Sequence, residues 1–156
     1  FAIGRGRGEQ CVPVPDAAGL AHVLITPPER LSTKEIYAGL DAEGFNLTAS
    51  KPSISMVVHA LRNGSLGELA TGLWNDLAPE AIRRCPVIAT IQARLRDCGC
   101  LGTVVSGSGP AVVGRCADVA HAQEVAGQMR ERPAAPWRLE ILQTDVPLRV
   151  AAPVRS

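Results

Sequence analysis

The sequence predicts an α+β fold of the split βαβ type, in which helices cover one face of an antiparallel sheet. Short apolar runs and segments of helical period follow one another in the order strand, several helices, strand, strand, helix, strand. No internal repeat or low-complexity linker divides the 156 residues, of which 46% are hydrophobic. A chain of this length and composition forms a single domain, 1–156, with a sizeable core. The helix-rich insert is therefore interpreted as one crossover between two strands.

The first two strands are predicted from apolar runs that end at prolines. Glu9–Val14 and Ala21–Thr26 are such runs, and they flank an expected turn at Asp16–Gly19. The glycines of Gly4–Gly8 precede a strand, whereas a nucleotide-binding glycine loop follows a strand and opens a helix. Their spacing therefore predicts a bend and not a nucleotide site.

The crossover begins with three predicted helices. Ser32–Glu35 has the spacing of a capping box and predicts a helix to about Leu40. Pro52 suits a first helical turn, and the helix that follows it is expected to end near Asn63-Gly64. Ser65–Glu68 repeats the capping-box spacing and predicts a shorter helix.

Two more helices and the last strand are predicted in the C-terminal half. Pro86 begins a helix, with Gly99 in the left-handed position after its end. Asp118 is a suitable N-cap for the final helix, which Pro133 stops. The alternation of Trp137–Leu142 predicts the last strand.

The stretch Leu101–Arg115 predicts a hairpin with a glycine-rich turn at Ser106–Pro110. Apolar β-branched residues lie on both sides of this turn. Its two glycines permit positive φ, which allows consecutive amides to converge on an anion, and its two serine hydroxyls add donors. A phosphate or a carboxylate is the expected ligand. The alternative is a hairpin whose glycines serve only the turn.

Composition and charge limit the classes of partner. A net charge of +1 gives no field strong enough to concentrate nucleic acid or an anionic membrane. The sequence shows neither an apolar stretch of transmembrane length nor a leader with a cleavage site, so a cytoplasmic location is expected. The five cysteines are scattered among apolar neighbours, which predicts buried side chains and neither a disulfide framework nor a zinc site.

Four blocks of the sequence carry a resemblance to a known family. They are Gly6–Pro15, Leu31–Tyr37, Asn75–Leu77 and Ser106–Pro110. In this order they resemble conserved segments of the GHMP kinase superfamily, and the last block is similar to the third motif of that superfamily. Within it, nearly the whole chain resembles the C-terminal domain of the 4-diphosphocytidyl-2-C-methyl-D-erythritol kinase family.

The resemblance implies a ferredoxin-like domain, which agrees with the split βαβ order derived from the pattern. It also implies transfer of the γ-phosphoryl group of ATP, with Mg²⁺, to a hydroxyl of 4-diphosphocytidyl-2-C-methyl-D-erythritol in the non-mevalonate route to isoprenoids. In that family the glycine-rich ATP loop and the acid–base residues belong to an N-terminal domain. No such loop occurs in this sequence, so we expect a fragment that has no catalytic residue, holds neither ATP nor Mg²⁺ and is inactive alone.

Site residues follow from the same resemblance. The loop residues implied to line the acceptor side of the cleft are Ser106, Gly107, Ser108 and Gly109. Thr33 is implied to be a substrate-side hydroxyl residue, and Tyr37 an aromatic residue that stacks on cytosine. The alternative for Tyr37 is a helix residue that covers the core with its hydroxyl in water. Asn75-Asp76 matches a family pair, but such a pair at a helix boundary more often caps than catalyses.

The expected partners are a cytidine diphosphate derivative as the small-molecule substrate and the chain's own N-terminal kinase domain, and a homodimer stays open. Two other functions compete with this interpretation. One is the C-terminal domain of another GHMP kinase, of a homoserine or mevalonate type, which gives no reason for the Ser32–Tyr37 block. The other is a non-catalytic module that binds a small anion or mediates dimerisation.

Overall fold

Six strands and six helices follow one another in the residues that the computed structural model describes, which are 1–15, 17, 19–43, 51–131 and 136–144. The strands are β1 (Ala2–Arg5), β2 (Gln10–Pro13), β3 (Ala21–Thr26), β4 (Gly102–Val105), β5 (Val112–Cys116) and β6 (Arg138–Gln143). The helices are α1 (Thr33–Glu43), α2 (Ile54–Asn63), α3 (Leu66–Thr71), α4 (Ala78–Arg84), α5 (Val87–Asp97) and α6 (Val119–Glu131).

Four of the strands form one antiparallel sheet in the spatial order β4-β5-β3-β6. Val23 at its centre lies opposite Gly114 on one side and Ile141 on the other. The first strand of the sheet therefore lies between the third and the fourth, which is the ferredoxin-like arrangement of a split βαβ unit. The predicted fold class is confirmed.

The main core lies between this sheet and the helices α5 and α6. Alternate residues of β3 point to this side, because successive side chains of a strand face opposite ways. Helix α5 packs on β4 and β5, and α6 packs on β3, β5 and β6. Each fully buried aliphatic side chain stabilises the domain by about 1.5–3 kcal/mol. Those with at most 1% exposure include Val23, Ile25, Ile88, Ile91, Leu95, Val112 and Val125.

A second, smaller apolar cluster joins the segment after β2 to the helices α2 and α3. Val14, Leu20, Ala60, Leu61 and Leu69 are its main buried members. Helices α2 and α3 pack on each other, and α3 also contacts β4. The crossover therefore brings these helices to the edge of the sheet.

The N-terminal strands form a pairing that the sequence did not predict. Strand β2 pairs with β1, where Val12 lies opposite Ile3, and the two form a separate two-stranded sheet. Gly6 and Gly8 have φ of 67° and 100° and form the turn between them, so the expected bend is a hairpin turn. The two strands predicted on either side of Asp16–Gly19 are both present, but they do not pair with each other, because β5 and β6 occupy both edges of β3. Asp16 and Ala18 of the expected turn lie outside the described residues.

Most predicted helices form, with changes at their ends. Helix α1 runs to Glu43, beyond the expected end at Leu40. Met56 N–H donates to Ser53 Oγ at 3.1 Å, so Ser53 is the N-cap of α2 and Pro52 precedes the helix instead of lying in its first turn. Ser65 precedes α3 but makes no side-chain capping bond, so this capping box is wrong although the helix is present.

The later helices follow the predicted signals closely. Gly99 has φ of 92° after the end of α5, and Asp118 Oδ1 accepts a hydrogen bond from His121 N–H at 2.8 Å at the start of α6. Helix α4 was not predicted, because it has only seven residues and its most buried side chain besides Ala81 is the charged Glu80.

Arg115 of β5 is a fully buried cation. Its Nη1 donates to Ala21 O at 2.8 Å and to Cys116 O at 2.5 Å, whereas Nε and Nη2 have no acceptor in the described part of the chain. His22 lies opposite Arg115 on β3. Burial, and then the charge of Arg115, lower the pKa of His22 below its ordinary value of 6.5.

Four of the five cysteines, Cys85, Cys98, Cys100 and Cys116, are buried free thiols, and Cys11 is an exposed one. The prediction of buried small side chains is confirmed for those four. Among the described residues, no helix is both long enough and apolar enough to cross a membrane.

Candidate functional site

The Ser106–Pro110 loop connects β4 to β5 as a closed hairpin turn. Ser106 N–H donates to Ala111 O at 2.8 Å, and Gly109 N–H donates to Ser106 O at 2.9 Å. Gly107 and Gly109 have φ of 55° and 79°, a region that glycine enters without steric cost. The predicted hairpin and the positive φ of both glycines are confirmed.

Two consecutive amides of this loop have no acceptor among the described residues. Ser106 and Gly109 use their N–H groups to close the turn, which leaves those of Gly107 and Ser108. Successive N–H groups next to a left-handed residue form the concave backbone sites that bind anions. The candidate anion site therefore consists of the amides of Gly107 and Ser108 and not of the whole loop.

The glycines of the loop differ in the space around them. A Cβ at Gly109 would lie 3.2 Å from Leu31 Cδ1 and 3.4 Å from both Ile88 Cδ1 and Val105 Cγ1. A Cβ at Gly107 would meet nothing within 4 Å. Gly109 is therefore required by packing as well as by backbone conformation, and Gly107 by conformation alone.

The start of α1 contacts the loop through two hydroxyl groups. Thr33 Oγ1 and Ser108 Oγ lie 2.9 Å apart, within hydrogen-bond distance, although 75 positions separate them in sequence. Tyr37 follows Thr33 by four residues, and side chains at this spacing share one side of a helix. The ring is 55% exposed. The structure therefore brings Thr33 to the loop and presents Tyr37 to solvent one turn further along.

Ser32 begins this helix, with Glu35 N–H donating to Ser32 Oγ at 3.4 Å. Glu35 does not reach back to complete the predicted capping box, because its carboxylate accepts from Arg84 Nη1 of α4 at 3.2 Å. Half of the capping box is thus replaced by a contact between two helices.

Asn75 fixes the loop from the crossover side. Its Nδ2 donates to Val105 O and to Gly107 O, each at 2.7 Å, and its Oδ1 accepts from Leu77 N–H at 2.9 Å. The sequence indicated the local contact before α4 but not the contact with the loop. Only the tertiary fold places Asn75 beside residues 30 and 32 positions away.

The carboxylate of Asp76 interacts with Lys51 and Trp74. Its carboxylate lies 2.8 Å from Lys51 Nζ and accepts from Trp74 Nε1 at 2.8 Å. The hydrogen bonds from Lys51 and then Trp74 lower the pKa of Asp76, so it is a stable anion rather than a proton acceptor.

The described residues contain no group of three or more His, Cys, Asp or Glu side chains arranged to hold a metal ion.

Comparison with known proteins shows which family has this fold and loop. The family model described as GHMP kinases C terminal matches residues 57–135, just over half of the 156 residues. The chain belongs to this family. The match includes most of α2, all of α3 to α6, the strands β4 and β5 and the Ser106–Pro110 loop between them, so the glycine-rich hairpin lies within the matched part of the family.

Bacterial relatives of this GHMP domain are named 4-diphosphocytidyl-2-C-methyl-D-erythritol kinase. The relative from Pelotomaculum thermopropionicum is 34% identical over 83% of the chain and 44% of its own length. The relative from Corynebacterium efficiens is 36% identical over 83% of the chain and 40% of its own length. The chain thus spans less than half the length of these two relatives.

Two solved structures of kinases share the fold of this chain. A crystal structure of 4-(cytidine 5'-diphospho)-2C-methyl-D-erythritol kinase superposes with a TM-score of 0.70 at 26% identity, over 92% of this chain and 50% of that one. A homoserine kinase from Cytophaga hutchinsonii superposes with a TM-score of 0.66 at 18% identity, over 93% and 48%. The second likeness shows the fold alone.

Proposed function

We propose that this chain is the substrate-side domain of an ATP-dependent kinase that phosphorylates 4-diphosphocytidyl-2-C-methyl-D-erythritol, in non-mevalonate isoprenoid biosynthesis. The contact between Thr33 and Ser108 carries the proposal, because it joins the α1 block to the glycine-rich loop. The names of the relatives at 34% and 36% identity support the same substrate.

The residues have distinct roles in this proposal. The free amides of Gly107-Ser108 bind an anionic group of the substrate, and the hydroxyls of Thr33 and Ser108 add donors beside it. Ser106 and Gly109 hold the turn in shape. Tyr37 stacks its exposed ring on cytosine. Thr33 and Tyr37 lie roughly 6 Å apart along the helix axis, so one ligand reaches both.

ATP and Mg²⁺ are assigned in this proposal to an N-terminal kinase domain on which the present domain packs. Phosphoryl transfer needs a phosphate cradle, a cation and a group that orients the accepting hydroxyl. The described residues offer the anion site but no metal cluster. The relatives' additional length supports a further domain. The polar substrate fits the expected cytoplasmic location.

Thermal unfolding of the chain with added nucleotides tests the proposal. Cytidine 5'-diphosphate should raise the melting temperature, since a ligand that binds only the folded state at 100 times its Kd stabilises that state by about 2.7 kcal/mol. Homoserine and mevalonate are the comparison ligands. Stabilisation by either of them and not by cytidine diphosphate would assign the domain to another kinase of the superfamily. Stability that rises with protein concentration alone would indicate a dimerisation module.

A further inference from the structure

Helix α1 contacts α4 through an ionic cluster around the buried carboxylate of Glu80, whose other members Arg83, Arg84 and Glu35 are partly exposed. Glu80 of α4 is 2% exposed and accepts from Arg83 Nε at 2.7 Å and from Arg83 Nη2 at 2.7 Å. Arg84 Nε also donates to Glu80 Oε1. Arg84 extends across to α1, where its Nη1 contacts Glu35. The cluster therefore links the two helices through Arg84.

The carboxylate of Glu80 also lies directly against the backbone of α1. A methyl group at Gly39 would overlap Glu80 Oε1, and it would come within 3.1 Å of Glu80 Cγ. The hydrogen bonds from Arg83 and Arg84 lower the pKa of Glu80 from 4.5 to about 2, so it is ionised at neutral pH and cannot easily leave its two guanidinium partners. Gly39 is the point at which α1 and this carboxylate touch.

Helix α1 has a second fixed point at Thr33, which contacts Ser108 of the loop. Tyr37 lies between the two fixed points, half a turn from Gly39 and one turn from Thr33. A shift of α1 at Gly39 therefore moves Tyr37 relative to the loop, because a helix of this length moves as a rigid unit.

We propose that Glu80 is a positioning residue for substrate binding: its carboxylate, held by Arg83 and Arg84, sets how closely α1 approaches α4 at Gly39 and so where Thr33 and Tyr37 stand relative to the loop. The inference rests on the proposed role of Tyr37 in binding cytosine. Glu80 lies outside the sequence blocks from which the site was inferred, and its side chain accepts hydrogen bonds from Arg83 and Arg84 of its own helix.

A pair of substitutions tests this contact from both sides. Gly39→Ala places a methyl group against the carboxylate and should push α1 outward, which weakens binding of cytidine 5'-diphosphate about fivefold, the low end of what loss of a base stack costs. Glu80→Ala should also weaken binding. In the double variant the new methyl group occupies the space that the carboxylate leaves, so binding should be no weaker than in Glu80→Ala alone. Effects that simply multiply would overturn the proposal.

The matched control is Gly127→Ala in α6, where a Cβ meets nothing within 4 Å. It makes the same substitution in a helix remote from the contact and should leave cytidine diphosphate binding unchanged.

If Gly39→Ala does not fold, Glu80→Gln tests the proposal instead. Glu80→Gln keeps the size of the side chain, weakens its bonds to the arginines, and should weaken binding while the melting transition stays cooperative. Unchanged binding by Glu80→Gln would contradict the proposal.

The NMR amide signal of Ser108 separates failure of this inference from failure of the proposed function. Ser108 is far in sequence from both substituted positions, and its hydroxyl lies within hydrogen-bond distance of Thr33 at the start of α1. Gly39→Ala should shift this signal without any ligand, the double variant should restore it toward the Glu80→Ala position, and Gly127→Ala should leave it in place. An unmoved signal in Gly39→Ala overturns the positioning role. Failure of wild type to bind cytidine diphosphate overturns the proposed function instead.

Discussion

At Gly109 the backbone adopts φ of 79°, and a Cβ there would press on Leu31 and Ile88. Gly107 shares the left-handed conformation but has open space around it. Both Gly→Ala substitutions cost about 1–2 kcal/mol for the backbone. Gly109→Ala should lower the free energy of unfolding further, through crowding with Leu31. Denaturant titration of the two variants measures the difference, and equal losses would show that the neighbours of Gly109 adjust freely.

The ring of Tyr37 allows stacking to be separated from hydrogen bonding. Tyr37→Ala should weaken binding of cytidine 5'-diphosphate by ~1–3 kcal/mol, because stacking on a base is worth that much. Tyr37→Phe should bind as wild type, since it keeps the ring. Isothermal titration of both variants checks the prediction. Wild-type affinity in Tyr37→Ala would leave the residue as an exposed side chain of α1.

The lowered pKa of His22 predicts the pH dependence of stability. Between its ordinary value of 6.5 and its lower folded value, the unfolded chain binds a proton that the folded chain does not. The free energy of unfolding should therefore fall as the pH drops below 6.5, and it should gain nothing from this group at higher pH. Urea titrations from pH 5 to pH 8 measure this slope. His22→Gln should reduce this slope, and an unchanged slope would show that His22 does not cause it.

The sequence predicted the backbone conformation of the loop better than it predicted the residues that hold the loop and α1 in place. The left-handed conformations of Gly107 and Gly109 follow from their type and from the flanking strands. The hydrogen bonds from Asn75 to Val105 O and Gly107 O could not be predicted, because they depend on where the crossover meets the sheet. Glu80 carried no functional signal either, since a charged residue in a short helix usually lies in solvent.

At the scale of elements, two capping signals that look alike in sequence differ in the structure. Asp118 accepts a hydrogen bond from His121 N–H, whereas Ser65 makes no side-chain capping bond. Asp118→Ala should therefore destabilise the chain by about 1 kcal/mol, and Ser65→Ala by much less. Thermal unfolding of the two variants provides the comparison. An equal loss in both would mean that Ser65 caps α3 in solution.

The strands and long helices were predictable because apolar period and proline boundaries are local signals. Strand β1 was missed because its short, largely exposed sequence AIGR carries no alternation. The pairing of β2 with β1 could not be predicted, for a different reason. Pairing is decided by which sheet edge is vacant, and β3 has both edges occupied by β5 and β6, which come from much later in the chain.

At the scale of the whole molecule, the proposal divides a kinase reaction between two domains. The present chain should bind a cytidine nucleotide but release no ADP when it is incubated with ATP, Mg²⁺ and 4-diphosphocytidyl-2-C-methyl-D-erythritol. The reason is that the proposal assigns the groups that hold ATP and Mg²⁺ to an N-terminal kinase domain, and phosphoryl transfer needs those groups. A coupled ADP assay checks this, and turnover at about 1–100 s⁻¹ would contradict it.

The conformation of the Ser106–Pro110 loop is already fixed in the folded chain, without a ligand. Two internal hydrogen bonds close it, and Asn75 fixes it through Val105 O and Gly107 O. The entropy of ordering this segment is therefore spent during folding and not during recognition. If an anion binds Gly107-Ser108 as proposed, its binding should therefore need no slow rearrangement of the loop. Departure of the anion likewise leaves the loop ready for the next molecule.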